Sequence, residues 1–375
     1  MKHIQTRLAH AAFSVDQETG AVIPPIHVAT TYERAPDNSY PSGYSYSREG
    51  NPTRNVLEST LADLEGGAAC RAFSSGLAAS HAVLMALPPA SHIVIPDDVY
   101  YGFRKLVRSA ETSTGLSSTE VDMSDLDSVS RAMRPETALV WVETPSNPLL
   151  KISDIRGVAA IATEGGAALA VDGTWGTPVL QRPLELGAHI VVHSLTKYLA
   201  GHSDVLGGAV ISRTEDALFD RIAEIQALAG AVLDPFSSWL TVRGLRTLAV
   251  RIQAQCQSAA RIADWLQRHN RVRKVYYPGL ASHPGHGIAA SQMSSPGGML
   301  SFEVEGGAQG AVAVAAAVEI ITRATSLGGT ESLIEHRASV EGPDSPTPPG
   351  LLRLSIGLEY VDDLIGDLDR ALAEI

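Results

Sequence analysis

Short apolar runs alternate with longer segments of helical length through the middle of the chain. His92–Pro96 (HIVIP), Ala138–Glu143 (ALVWVE), Ala167–Asp172 (AALAVD), His189–His193 (HIVVH) and Gly208–Ile211 (GAVI) are rich in β-branched and aliphatic residues. Such runs, with no polar alternation, fit strands buried on both faces. Segments of helical length, Ser153–Glu164 among them, lie between. Strand–helix alternation predicts an α/β fold with a mostly parallel sheet covered on both faces. Ligands on such sheets gather at the carboxyl ends of the strands.

After about Val232 the texture changes. Leu245, Leu248, Ile252, Cys256, Ala259, Ile262 and Leu266 recur every three or four residues, as one face of a long amphipathic helix would. Cys256 sits on that face and reads as core packing. A strand at Met299–Val304, an Ala/Val-rich helix from Gly310 and a final helix around Asp362–Ala373 complete a smaller α+β region. Gly342–Gly350 (GPDSPTPPG) carries four prolines and reads as a loop. The expected layout is an extended N-terminal arm over 1–45, a large domain over 46–232 and a small C-terminal domain over 233–375.

Composition narrows the function. The 375 residues hold 29 Lys+Arg against 41 Asp+Glu, a net charge of −12. That argues against a nucleic-acid binder, which normally presents a basic face. The longest near-apolar stretch, Gly310–Ile321, includes Glu319 and is shorter than the ~20 residues of a membrane span. The N-terminal MKHIQTRLAH lacks the apolar run of a signal peptide. Only two cysteines are present, Cys70 and Cys256, so a reducing cytoplasm is the expected setting.

Candidate chemistry starts at two strand ends. Asp172 closes AALAVD, and Lys197 follows HIVVH in Ser194-Leu195-Thr196-Lys197. A carboxylate and an amine facing one crevice is what pyridoxal phosphate requires: lysine as covalent anchor, carboxylate as partner of the pyridine nitrogen. A surface lysine and a helix-capping aspartate fit the same two positions. Ser74-Ser75-Gly76-Leu77-Ala78 opens a helix-like segment whose amides would suit a phosphate, and Ser194 and Thr196 add hydroxyls. Tyr100 lies just past HIVIP, where it would stack on a ring and donate a proton, or simply pack. Arg353 is a charge inside the apolar run LLRLS, suited to a substrate carboxylate or to an internal ion pair. His193 and His202 flank Lys197, but no spaced Cys/His set, G-x-S-x-G elbow or Walker A loop is present.

Taken together, these residues resemble the cystathionine γ-synthase/γ-lyase family of pyridoxal-phosphate enzymes of cysteine and methionine metabolism. The match runs nearly end to end. It includes TGAVIPPIHVATTY (Thr19–Tyr32), YSREGNPTR (Tyr46–Arg54), SSGLAA (Ser74–Ala79), ETPSNPLL (Glu143–Leu150) and VDGTWGTP (Val171–Pro178). It continues through HSLTKYLAGHSDVLGG (His193–Gly208), YYPGLASHPGH (Tyr276–His286), SLGGTESLIEH (Ser326–His336) and LRLSIGLE (Leu352–Glu359). The resemblance implies a type I aminotransferase-like fold and a homotetramer of two active dimers. It makes Lys197 the Schiff-base lysine and proton shuttle, Asp172 the partner of the pyridine nitrogen, and Tyr100 the ring-stacking acid for the leaving sulfur. Gly76, Leu77, Ser194 and Thr196 would hold the phosphate, with Tyr46 and Arg48 reaching a neighbouring subunit's cofactor. Asn147, Ser326 and Arg353 would bind substrate, Arg353 at its carboxylate.

The implied reaction is γ-elimination or γ-replacement on a sulfur amino acid or an activated homoserine, of cystathionine γ-lyase/γ-synthase type. Methionine γ-lyase, O-acylhomoserine sulfhydrylase and cystathionine β-lyase are the alternatives within the family. An aminotransferase and a catalytically idle relative lie outside it. Several positions depart from the family pattern. Gly173 stands where Asn is usual, Trp175 where Phe is commoner, and Tyr100-Tyr101-Gly102-Phe103 replaces Tyr-Gly-Gly-Thr. Gly102 occupies the place where methionine γ-lyases tend to carry cysteine. Ser45 and Thr325 replace acids that would pair with the distal ammonium of cystathionine. The usual His-Pro-x-x-Met-Thr-His is replaced by His336–Gly342, in which Arg337 and Glu341 read as new polar contacts near the mouth or, as the simpler and preferred reading, a surface ion pair.

Overall fold

A strand buried on both faces must satisfy its backbone through neighbours on either side, and the apolar runs pair accordingly. The computed structural model describes residues 2–12, 14–16, 18–342 and 347–375. Its larger sheet contains β1 (Ala69–Phe73), β2 (His92–Pro96), β3 (Ser117–Val121), β4 (Thr137–Glu143), β5 (Ala168–Asp172), β6 (Ile190–Ser194) and β7 (Gly208–Ser212). The spatial order is β1-β7-β6-β5-β4-β2-β3. β2 through β6 are mutually parallel, and β7 alone runs against its neighbours β6 and β1. The predicted mostly parallel sheet is present, and its register sets Glu143 opposite Asp172 at the carboxyl ends of β4 and β5.

The period of two along a strand divides each run between two cores. On β4, Val140 and Val142 join Leu57, Leu61 and Val171 on one face, while Leu139 and Trp141 join Val83 and Ala170 on the other. A smaller sheet of β8 (Val272–Tyr276), β9 (Met299–Val304), β10 (Thr322–Arg323), β11 (Leu333–His336) and β12 (Leu351–Ser355) has the order β10-β11-β12-β9-β8. Leu300, Phe302, Leu352 and Leu354 pack there against Leu364, Leu368 and Leu372 of the C-terminal helix Val361–Leu372. Among the described residues, no helix is long and apolar enough to cross a membrane.

Three expectations are corrected. The N-terminal segment is not extended throughout: Ile4–Ala9 is helical, and Leu8 is buried in the main core because Ile4, Leu8 and Ala11 fall on one side. The long helix through Leu245 is two helices, Pro235–Leu245 and Leu248–Gln267. At the break Arg251 donates to the carbonyls of Gly244 at 2.9 Å and Tyr198 at 3.0 Å, joining Thr247 on the Gly244 carbonyl and tying the helix end to Tyr198. Arg337 and Glu341 are not a surface pair, as described below. Cys256 packs in the core as expected. Of the proline-rich loop, residues 343–346 lie outside the described residues.

Candidate active site

The carboxyl ends of β4, β5 and β6 open onto a cavity of ≈ 230 Å³, whose lining includes Gly76, Tyr100, Asp172, Lys197, Ser326 and Arg353. The cavity forms there because parallel strands end together and their following loops diverge. Asp172 is held by the amide of Thr174, which donates to Oδ1 at 2.9 Å. Burial pushes the Asp172 carboxyl above its ordinary value, opposed by the Thr174 contacts. Beside it, burial and then the Asp172 charge push the Glu143 carboxyl well above its ordinary value, opposed by the Tyr100 amide. Glu143 Oε2 accepts the amide of Tyr100 at 2.8 Å and fixes the start of the helix Tyr101–Thr114.

An anion cradle occupies one corner. Ser75 caps the helix Gly76–Ala86, its hydroxyl accepting the amide of Ala78. The first amides of a helix lack intrahelical partners, and those of Gly76 and Leu77 border the cavity. A Cβ on Gly76 would lie 3.1 Å from Ser194 Cβ, and one on Gly208 only 2.2 Å from the Ser75 carbonyl oxygen, so glycine is required for this close approach. Ser194 and Thr196 add hydroxyls, that of Thr196 donating to Gly207 at 3.2 Å.

The substrate side is built around Ser326. Lys197 Nζ donates to the Ser326 hydroxyl at 2.7 Å, and Arg353 Nη2 donates to its carbonyl at 2.9 Å. Arg353 Nη1 donates to Asn147 Oδ1 at 2.9 Å. Burial, then the nearby Arg353 charge, bring the Lys197 amine down to about 8. Burial, then Arg337, bring Arg353 down to about 10, which leaves it charged at neutral pH. Burial raises the Tyr100 phenol, which therefore stays protonated and able to donate.

Of the predicted residues, Tyr100, Asp172, Gly76, Leu77, Ser194, Thr196, Lys197, Asn147, Ser326 and Arg353 all border this one cavity. Tyr46 and Arg48 do not. Tyr46 is exposed, and Arg48 donates to the carbonyl of Ala227 at 2.6 Å. Glu143 and Glu335 escaped the sequence reading, in which Arg337 is mainly part of a surface pair. Glu143 carried a signal, because it ends β4 just as Asp172 ends β5.

Arg337 is buried and borders the cavity, bonded to Glu335 and Glu341. The departures also find places. A Cβ at Gly173 would lie 3.0 Å from His193 Cε1, so the imidazole stands where a larger residue would pack. Phe103 stacks on Trp141 at 4.0 Å, while Tyr101 turns its ring edge to Tyr100 and lies outside the cavity lining. Thr325 and Trp175 border the cavity; Ser45 instead donates to Glu49 at 2.8 Å.

An amine of lowered basicity, a carboxylate behind it and an anion cradle fit pyridoxal phosphate. Known proteins agree. Residues 5–373 match the family model described as Cys/Met metabolism PLP-dependent enzyme. A cystathionine γ-synthase of Mycobacterium bovis is 46% identical, covering 98% of this chain and 96% of that protein. A cystathionine β-lyase of Lactococcus lactis is also 46% identical, covering 99% of each. The structure of cystathionine γ-synthase from Xanthomonas oryzae, in complex with aminoacrylate and cysteine, superposes with a TM-score of 0.96 at 40% identity, over 100% of this chain and 98% of that one. With the type I fold, the cofactor cradle and this likeness over the full length, the chain belongs to the cystathionine γ-synthase/γ-lyase family of pyridoxal-phosphate-dependent enzymes, the carbon–sulfur lyases and transferases of cysteine and methionine metabolism.

Proposed function

We propose that this enzyme acts at the γ-carbon of L-cystathionine or of an activated homoserine, by elimination or by thiol replacement. The observation that carries this is the convergence of the Lys197 amine and the Arg353 guanidinium on Ser326, in the cavity that Asp172 closes from the sheet side. Pyridoxal phosphate bound there supplies the electron sink that lets a proton leave the substrate α-carbon. Asp172 would face the ring nitrogen, and Gly76, Leu77, Ser194 and Thr196 would take the phosphate. Arg353 grips the substrate carboxylate, with Asn147 and Ser326 beside it. Lys197 removes the α-proton and shuttles it, and with cystathionine Tyr100 donates its phenolic proton to the departing sulfur.

A second reading is β-elimination, favoured by the Lactococcus relative named cystathionine β-lyase. Residues 46–232 would form the cofactor-binding domain and 233–375 the smaller one, with 1–45 as an arm. The assembly is proposed as a homotetramer of active dimers, in which Tyr46 and Arg48 reach the partner's phosphate. The exposed apolar side chains of Leu77 and Leu206, which border the cavity, support an interface near its mouth. The buried free cysteines Cys70 and Cys256 support a cytoplasmic setting.

Incubating the cofactor-loaded protein with L-cystathionine alone, and with an O-acylhomoserine plus L-cysteine, separates elimination from replacement. Turnover in neither, by protein that carries the bound-cofactor absorption band, would remove the proposal.

A further inference from the structure

We propose that Arg337, with Glu341 as its counter-charge, is a positioning residue: it shares Glu335 with Arg353, so that Glu335 does not fully neutralise Arg353 and Arg353 keeps its charge for a substrate carboxylate. The proposal rests on the reading of Arg353 as the carboxylate grip.

Four charges alternate along one row, and Arg353, Glu335 and Arg337 are buried. Glu335 Oε2 accepts from Arg353 Nη2 at 2.7 Å and from Arg337 Nη1 at 2.8 Å. On the far side, Arg337 Nη2 and Nε donate to Glu341 Oε1 at 2.7 and 3.2 Å. Glu341 Oε2 accepts the Thr347 hydroxyl at 2.7 Å. Arg337 is 2% exposed, Arg353 4% and Glu335 6%. Charges this deep persist only when paired, and each inner member of this row touches two opposite charges.

Glu335 and Arg353 face each other across β11 and β12, so they would form a closed pair by themselves. A carboxylate locked to Arg353 would repel the carboxylate of an incoming amino acid. Arg337 pulls on the same oxygen from the other side and takes a share of its charge. Arg353 Nε and the second hydrogen of its Nη1 then remain for the substrate. Arg337 and Glu341 lie four residues apart on one helical turn, Arg337–Glu341, which brings them to the same face.

The test compares L-alanine with L-alaninamide, which lacks the carboxylate, titrated against the cofactor-loaded protein and read by the cofactor's absorption. The quantity is the ratio of the two affinities. Arg337→Ala leaves two glutamates against one arginine, and the ratio should fall about tenfold. Arg337→Lys should recover most of it. Glu341→Gln removes a negative charge and should leave the ratio level or higher. Arg337→Ala with Glu341→Gln should fall between. A purely structural ion pair would instead make Arg337→Ala and Glu341→Gln alike, and that result, or no change in Arg337→Ala, overturns the proposal. Should Arg337→Ala fail to fold, a fall of the ratio in Glu341→Gln overturns it as well. Arg353→Ala separates the two layers. An unchanged ratio there removes the grip itself; a fall there without one in Arg337→Ala removes only the role of Arg337.

Discussion

The Lys197 amine and the Ser326 hydroxyl stand 2.7 Å apart, and Ser326 holds a backbone φ of +88°, where side chains are strained. The same residue accepts Arg353 through its carbonyl, so one strained serine registers the amine to the guanidinium. A sparsely populated conformation persists only where surrounding contacts over-determine it, and here two cations do so.

Ser326→Gly should therefore separate stability from activity. Glycine adopts the conformation freely, so stability should hold or rise by up to about 1 kcal/mol. Losing the hydroxyl frees Lys197, and kcat should drop several-fold. Thermal unfolding beside steady-state kinetics checks both; a kcat equal to the parent's would remove Ser326 from the positioning of Lys197.

The Lys197 amine sits at about 8 because burial, then Arg353, disfavour its charged form. Covalent uptake of pyridoxal phosphate needs the neutral amine. The uptake rate of apo-protein should climb with pH to a midpoint near 8, not near 10.5. Arg353→Met removes a cation and should move that midpoint upward. A midpoint unmoved in the variant would contradict the assigned influence of Arg353.

Burial, then the Asp172 charge, raise the Glu143 carboxyl well above its ordinary value in the folded protein. The folded form then binds more protons than the unfolded chain once pH passes the usual carboxylate range, so stability falls as pH rises there. Glu143→Gln keeps an acceptor for the Tyr100 amide and has no proton to lose. It should retain most activity, and its melting temperature should gain on the parent's as pH is raised from 4 to 8. Equal pH dependence of the two melting curves would show that Glu143 is ionised.

Gly102 lies under the Tyr100 ring: a Cβ there would stand 2.6 Å from Tyr100 Cε1. Gly102→Cys should swing the phenol aside and slow sulfur departure, while binding of L-alanine, which has no leaving group, stays within about threefold. An unaltered kcat would show that Tyr100 is free to leave that position without consequence.

What the sequence displayed was whatever depends on local pattern. Runs buried on both faces marked β2, β4, β5, β6 and β7, and the strand ends brought Asp172 and Lys197 to the same edge. What it concealed depends on pairing across long separations. Glu335 meets Arg353 only through the register of β11 and β12. Arg337 looked like an ordinary helical ion pair, since spacing cannot tell which way that turn faces. At the break after Leu245, Arg251 reaches back to Gly244 and across to Tyr198, a tertiary contact no periodicity encodes.

Tyr46 and Arg48 lie away from the cavity lining within one chain. Lys197→Ala should abolish turnover and leave the cofactor bound without a covalent link, and Arg48→Ala should weaken cofactor retention. Mixing the two variants and allowing subunits to exchange should restore activity in mixed assemblies. No recovery, with exchange verified by mass, would place the whole site within one chain.

The most direct test is product analysis with L-cystathionine as sole substrate of the cofactor-loaded enzyme. Cleavage at the γ-carbon predicts L-cysteine and 2-oxobutyrate in equal amounts, with ammonia. Homocysteine and pyruvate would place the cleavage at the β-carbon and contradict the γ assignment.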